Sequence, residues 1–194
     1  MEVISQLLRK ISDATEADID LFVSLHEVVT YQKGDVLLNA GQVEGFLYFV
    51  NQGILRCFIT KEKNEDVKEI TFNLVFPGWF YGAFDSFITQ SPCKYTVQCV
   101  TDVEIYRINF SNLQFVFKNT QYGEQIGRLA VEQLYLNKTK REMSLLSDSV
   151  DDRYKFLVNN YPNHIMDVPL KYVASYIGVT PQALSKIRKR IYKP

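Results

Sequence analysis

Residues 168–190 read VPLKYVASYIGVTPQALSKIRKR, and this stretch decides the fold. Pro169 suits the first turn of a helix, where a missing N–H is harmless. Val173, Ala174 and Ile177 give that helix an apolar face. Gly178 follows where a left-handed C-cap is easiest for glycine. Thr180 can cap a second helix whose first position is Pro181. Leu184 and Ile187 face inward, and Val179 plugs the turn. A helix-turn-helix needs a small residue where its helices cross, a permissive turn and two inward faces. Ala174, Gly178 and the five apolar residues supply them. The opposite face of the second helix carries Gln182, Ser185, Lys186 and Lys189, with Arg188 and Arg190 flanking. These residue types hydrogen-bond base edges or phosphates. The competing reading is an ordinary helical hairpin with a basic tail.

Charge sharpens the choice. The chain of 194 residues holds 22 Lys/Arg and 22 Asp/Glu, a net charge of zero, which excludes a bulk-basic coat for nucleic acid and an acidic disordered tail. The zero is an average. Residues 1–150 hold 14 basic and 19 acidic residues, a net of −5, and residues 151–194 hold 8 and 3, a net of +5. After Asp167 come Lys171, Lys186, Arg188, Lys189, Arg190 and Lys193 with no acid between them. The body should repel a polyanion, so the end must make the approach.

Upstream, Ser149 with Asp151 and Asp152 begins a helix that Asn159, Asn160 and Pro162 end. Residues 121–146 read as a longer helix with a seam of Ile126, Ala130 and Leu134, interrupted by Asn137, Lys138 and Arg141. It either packs on its own domain or joins two copies. Ser111 is placed to start the short helix NLQFVFK. From about 28 to 109 short β-rich runs alternate with Gly34, Gly41, Gly45, Gly53, Gly78 and Gly82, each able to supply a positive-φ turn. Such spacing suggests a sandwich, barrel or roll, with KEKNED (61–66) as a polar hairpin tip. Aromatics at 13% allow a large core. Residues 2–25 read as two short helices, the second capped by Thr15 with Asp18 in a capping-box position.

Other chemistry is excluded by inventory. Cys57, Cys93 and Cys99 form no CxxC pair, and His26 and His164 lie far apart, so a zinc site or a cupin-like metal enzyme is not expected. Cys57 and Cys99 fall in strand patterns, whereas Cys93 follows a Ser-Pro loop and is expected to be more exposed. The N-terminus is too charged for a signal peptide and no apolar run reaches about 18 residues. A cytoplasmic protein with reduced thiols, no membrane contact and no enzymatic activity is the expectation.

The segments RYKFLVNNYP and VPLKYVASYIGVTPQALSKIRKR resemble the DNA-binding domain of Crp/Fnr-type transcriptional regulators. YQKGDVLLNAGQ, LYFVNQGILRCF and FPGWFYGAFDSF resemble their cyclic-nucleotide-binding β-roll, so the resemblance spans the chain. It implies an α+β fold: a double-stranded β-roll sensor domain with flanking helices (1–119), a dimerisation helix (120–147) and a C-terminal helix-turn-helix domain (148–194). It also implies a homodimer on a pseudo-palindromic duplex, recognition helices about 34 Å apart, with RNA polymerase as a further partner. Carried over by position, Gln182, Ser185 and Lys186 would face bases. Thr180 and Arg188 would touch phosphates, and Lys189 and Arg190 would add charge. Pro181 stands where relatives often carry a polar residue. Four residues after Arg190 leave little room for the β-wing of a winged helix. An effector-sensing or protein-interaction module that does not bind DNA specifically is the alternative.

Nucleotide-binding relatives carry a Gly-Glu pair and, about eleven residues on, an Arg followed by Ser/Thr. Here Gly82 is followed by Ala83, and the later pair is Cys93-Lys94. Burying a phosphate without its cation is costly, and a lysine lacks the bidentate fork. cAMP is therefore not expected to bind, and no cofactor is assigned. A degenerate effector pocket would involve Phe72, Tyr81, Gly82, Ala83, Phe84, Cys93, Lys94 and Tyr95. The neighbouring aromatics either fill it as core or shape it for an apolar effector.

Overall fold

A computed structural model describes residues 1–63 and 66–191. Two N-terminal helices, α1 (Glu2–Ile11) and α2 (Glu16–Ser24), lead into eight strands: β1 (Glu27–Tyr31), β2 (Val36–Leu38), β3 (Phe46–Gln52), β4 (Leu55–Lys63), β5 (Asp66–Val75), β6 (Phe80–Tyr81), β7 (Thr96–Cys99) and β8 (Val103–Asn109). Helix α3 (Phe84–Thr89) lies between β6 and β7, and α4 (Phe110–Asn119), α5 (Gly123–Ser147), α6 (Val150–Asn160), α7 (Leu170–Ile177) and α8 (Pro181–Ile191) follow β8. Asn64 and Glu65 of the expected hairpin tip, and Lys193 of the basic tail, lie outside the described residues.

The strands form two four-stranded antiparallel sheets, β1-β8-β3-β6 and β2-β7-β4-β5. Alternation along β3 and β8 sends Tyr48, Val50, Val103 and Ile105 between the sheets, where they meet Leu55, Cys57, Val97 and Cys99. Phe49, Tyr106 and Ile108 point the other way, under Ile4, Leu8, Ile19, Leu113 and Ile126 of the helices. This is the expected α+β roll with flanking helices.

Gly53 (φ +84) has no substitute: a Cβ there would lie 2.1 Å from the Asp102 carbonyl oxygen. Gly34, Gly41 and Gly78 also have positive φ, but Gly45 and Gly82 do not. At Gly82 the demand is close approach, since a Cβ would meet Leu47 at 2.6 Å. Thr15 Oγ1 accepts from Asp18 N as its spacing suggests. Three local readings are corrected. Asn109, not Ser111, caps α4, because its carboxamide accepts from Asn112 N at 2.8 Å. Pro169 sits one position earlier than expected, as the N-cap of α7. Cys93 is buried, since its N–H donates to Gln42 O at 2.7 Å and folds the loop inward.

Candidate functional site

The C-terminal helices build the expected motif. Gly178 (φ +84) caps α7, and Val179 N donates to Ala174 O at 2.9 Å. Thr180 Oγ1 accepts from Ala183 N and starts α8. Val173, Ala174 and Ile177 meet Leu184 and Ile187 in one buried cluster. This leaves Gln182, Lys186 and Lys189 exposed on one side of α8, with Ser185 half-buried beside them.

The remaining candidates are not equally free. The Ser185 hydroxyl donates back to Pro181 O at 3.0 Å. Arg188 is half-buried and lies along a crevice with Met166 and Val168. Arg190 pairs with Asp151 at the start of α6. The residues expected to face bases are thus presented by α8 alone, and the flanking cations lean on neighbouring elements.

Two arginines fasten this motif from behind. Arg153 of α6 donates to Ile177 O at 3.0 Å and to Asp148 O at 2.6 Å. Arg141 of α5 donates to Tyr176 O and stacks on the Tyr176 ring at 3.9 Å. Both satisfy carbonyls at the C-terminus of α7, where cations are also favoured by the helix dipole. Arg141 had looked like an interruption of the α5 seam.

The helix-turn-helix is not separate from the roll. Ile54, Leu74, Phe76 and Val100 of the roll share one core with Tyr154, Leu157, Val173 and Ile177. Phe76 stacks on Tyr161 with centroids 3.9 Å apart. Thr71 N donates to Ser175 Oγ at 2.9 Å. Arg56, 2% exposed, lies in this seam.

The residues expected around an effector pocket do not surround one cavity. Tyr81, Ala83 and Cys93 are core of the roll, whereas Lys94 and Phe72 are exposed. Phe72 packs edge-on against Tyr95 at 5.0 Å. Inside, Cys57 Sγ donates to Tyr81 Oη at 2.9 Å, and Cys93 Sγ donates to Tyr95 O at 3.3 Å. Burial pushes the Cys57 and Cys99 thiols up to about 12, so neither is a thiolate at neutral pH.

Glu44, which the sequence did not single out, has a buried carboxylate that accepts from Tyr48 Oη at 2.7 Å, Phe46 N at 3.0 Å and Ala83 N at 3.5 Å. Burial raises its pKa above the usual carboxylate range.

The open space lies outside the roll. A groove of about 560 Å³ runs between α3, α4 and the first half of α5, lined by Leu47, Phe80, Phe84, Phe117, Ala130 and Leu134 among others. Gly82 and Tyr81 touch its wall. Ile126 is buried against the chain's own helices. Val131 and Tyr135 also line the groove yet stay exposed, and Leu136, Met143 and Leu146 of α5 are exposed too. Beyond Leu134, only Arg141 and Ser144 of α5 are partly covered.

Among the described residues no three His, Cys, Asp or Glu are grouped to hold a metal ion, and no helix is long and apolar enough to cross a membrane.

The cyclic nucleotide-binding domain family matches residues 28–120. A comparison with curated protein sequences finds no match. Among solved structures, the c-di-GMP-responsive global regulator CLP of Xanthomonas campestris is 19% identical, covering 91% of each chain with a TM-score of 0.68. FixK2 of Bradyrhizobium japonicum is 14% identical, covering 86% of this chain and 84% of its own, with a TM-score of 0.67. A regulator from Eubacterium rectale assigned to the Crp/Fnr family is 16% identical, covering 95% and 86%, with a TM-score of 0.65. Residues 28–120 match the cyclic nucleotide-binding domain family, and the chain as a whole shares the fold of these solved regulators.

Proposed function

We propose that the chain is a DNA-binding transcriptional regulator that acts as a homodimer and reads duplex DNA through α8. The observation that carries this is the division of α8. Leu184 and Ile187 are spent on α7, while Gln182, Lys186 and Lys189 stand free on the chain's densest run of cations. A helix anchored on one face with amide and ammonium donors on the other suits the major groove. The thinly covered second half of α5 supports dimerisation, since an exposed apolar strip on a long helix is normally covered. The roll is proposed to work without cAMP. It lacks the glutamate and arginine that hold the nucleotide, and Tyr81 and Cys93 fill its interior.

Binding to selected duplexes, followed by fluorescence anisotropy over a salt series, tests the reading. Log K should fall by roughly 0.9 per neutralised phosphate for each unit of log salt. Replacing Lys186 and Arg188 with Ala should weaken binding by at least tenfold. Unchanged affinity in that variant would remove α8 as the reader, and an absence of protected genomic DNA would favour the non-DNA module. Calorimetry with cAMP should show no binding, and micromolar affinity would overturn that part.

A further inference from the structure

We propose that Arg56 is a positioning residue for the DNA-reading helix: a buried cation through which the β-roll sets the tilt of the helix-turn-helix. The proposal rests on α8 being the reader. The guanidinium lies over the Phe58 ring at 4.0 Å and over the Tyr172 ring at 3.8 Å. Its edge is held by the roll. Nε and Nη2 donate to Gln98 Oε1 at 2.9 and 2.5 Å, and Nη2 pairs with Glu69 at 2.6 Å. Phe58, Gln98 and Glu69 belong to β4, β7 and β5, whereas Tyr172 belongs to α7. The cation is therefore fixed on the roll and offers its free face to the helix-turn-helix.

Three residues along α7, Ser175 Oγ takes the Thr71 N–H of β5. Positions 172 and 175 lie on one face of a helix, so α7 is tied to the roll at two adjacent points. Arg141 and Arg153 hold its far end. Since α8 rests on α7 through Leu184 and Ile187, a change in the tilt of α7 carries α8 with it.

A buried cation is a poor device for stability alone. Desolvation opposes it, and an apolar side chain of similar size is often as stable. Arg56 Nη1 even lacks a hydrogen-bond partner. What the planar guanidinium adds is geometry: two rings must lie over its faces and two acceptors must meet its edge. A methionine would fill the space and drop that demand.

The test compares Arg56→Met, Arg56→Lys and Tyr172→Leu in the full-length chain. Spin labels at Val28→Cys and Met166→Cys, both exposed sites, report the distance between roll and helix-turn-helix without DNA, in samples diluted with unlabelled chain. All three variants are expected to broaden the distance distribution and weaken DNA binding about tenfold. The melting temperature of Arg56→Met should stay near that of the parent. Arg56→Met combined with Tyr172→Leu should lose no more affinity than either alone, because both break one contact. An unbroadened distribution, additive losses or a gain in affinity would overturn the proposal. So would a loss of stability with DNA affinity unchanged in the folded fraction. If Arg56→Met fails to fold, Tyr172→Leu and Ser175→Ala carry the same comparison. A parent chain with no DNA affinity defeats the reading of α8. A parent that binds beside variants that bind equally well defeats the role of Arg56 alone.

Discussion

Two sides of the β-roll receive the later helices differently. Against α6 and α7 it closes a sealed seam, in which Ile54, Leu74 and Phe76 share a core with Tyr154, Leu157 and Val173. Against α5 it leaves a groove of about 560 Å³ and a helix whose second half is mostly exposed. The sealed side makes roll and helix-turn-helix one body. The open side leaves apolar residues of α5 exposed. A signal or a fixed posture can travel through the first, whereas the second is where the proposed dimer would cover apolar surface.

The largest expected effect comes from breaking the open side. Val131→Asp with Tyr135→Asp places two charges on exposed residues at the open edge of the groove. The monomer should fold, with a melting temperature close to the parent's. Sedimentation should show dimer turning to monomer, and affinity for a palindromic duplex should drop roughly 10³-fold as one half-site is lost. A variant that stays dimeric would move the interface elsewhere.

A paired truncation sharpens the contrast. Ile54, 1% exposed, projects from the roll into the seam, so Ile54→Ala should cost about 3 kcal/mol of stability. The loss should move one calorimetric transition shared by roll and C-terminal helices, because they share one core. Leu134→Ala, on the half-covered wall of the groove, should cost under about 1 kcal/mol in the monomeric background. Equal costs, or two separate transitions in Ile54→Ala, would erase the distinction.

How much of this could be read from residues depends on the range of the interaction. The helix-turn-helix was legible because Gly178, Thr180 and the inward apolar positions obey local turn and periodicity rules. The exposed set on α8 follows from the same 3.6-residue period. Helix α3 and strand β6 were not legible, since six and two residues in an aromatic-rich run carry no period. The pocket residues were placed by resemblance, and a shift of register undid part of it. Cys57 pairs with Asn73 but Phe58 with Thr71, so Phe72 has no partner across the sheet and stands exposed. Arg56 was missed because its partners converge from β5, β7 and α7, and Glu44 because its burial brings it against Ala83, far along the chain. In the sequence each is one more charge in a β-rich run. Arg190 was assigned to DNA without its link to Asp151, which only the packing of α8 on α6 creates.

The smallest effect separates the two sides by acidity. His26 follows α2, edge-on to Phe22 at 4.6 Å, and Phe22 lines the groove. Its Nδ1–H donates to Phe22 O at 2.8 Å, leaving Nε2 buried without a partner. Burial lowers its pKa from 6.5 to about 4, against the smaller upward pull of that hydrogen bond. The folded state therefore resists a proton that the unfolded chain accepts. The stability due to neutral His26 is complete above pH 6.5 and is lost as pH falls toward 4. Between pH 7.5 and pH 5 the loss should be about 2 kcal/mol. His26→Gln, which keeps a donor and cannot titrate here, should remove that part of the slope in denaturant titrations. At the seam, roll and helix-turn-helix meet through the stacked Arg56 guanidinium and a shared apolar core that does not include His26. The distance between roll and helix-turn-helix should hold at pH 5 while stability declines. A label distance that moves with the titration of His26 would join the two sides into one switch and end the comparison.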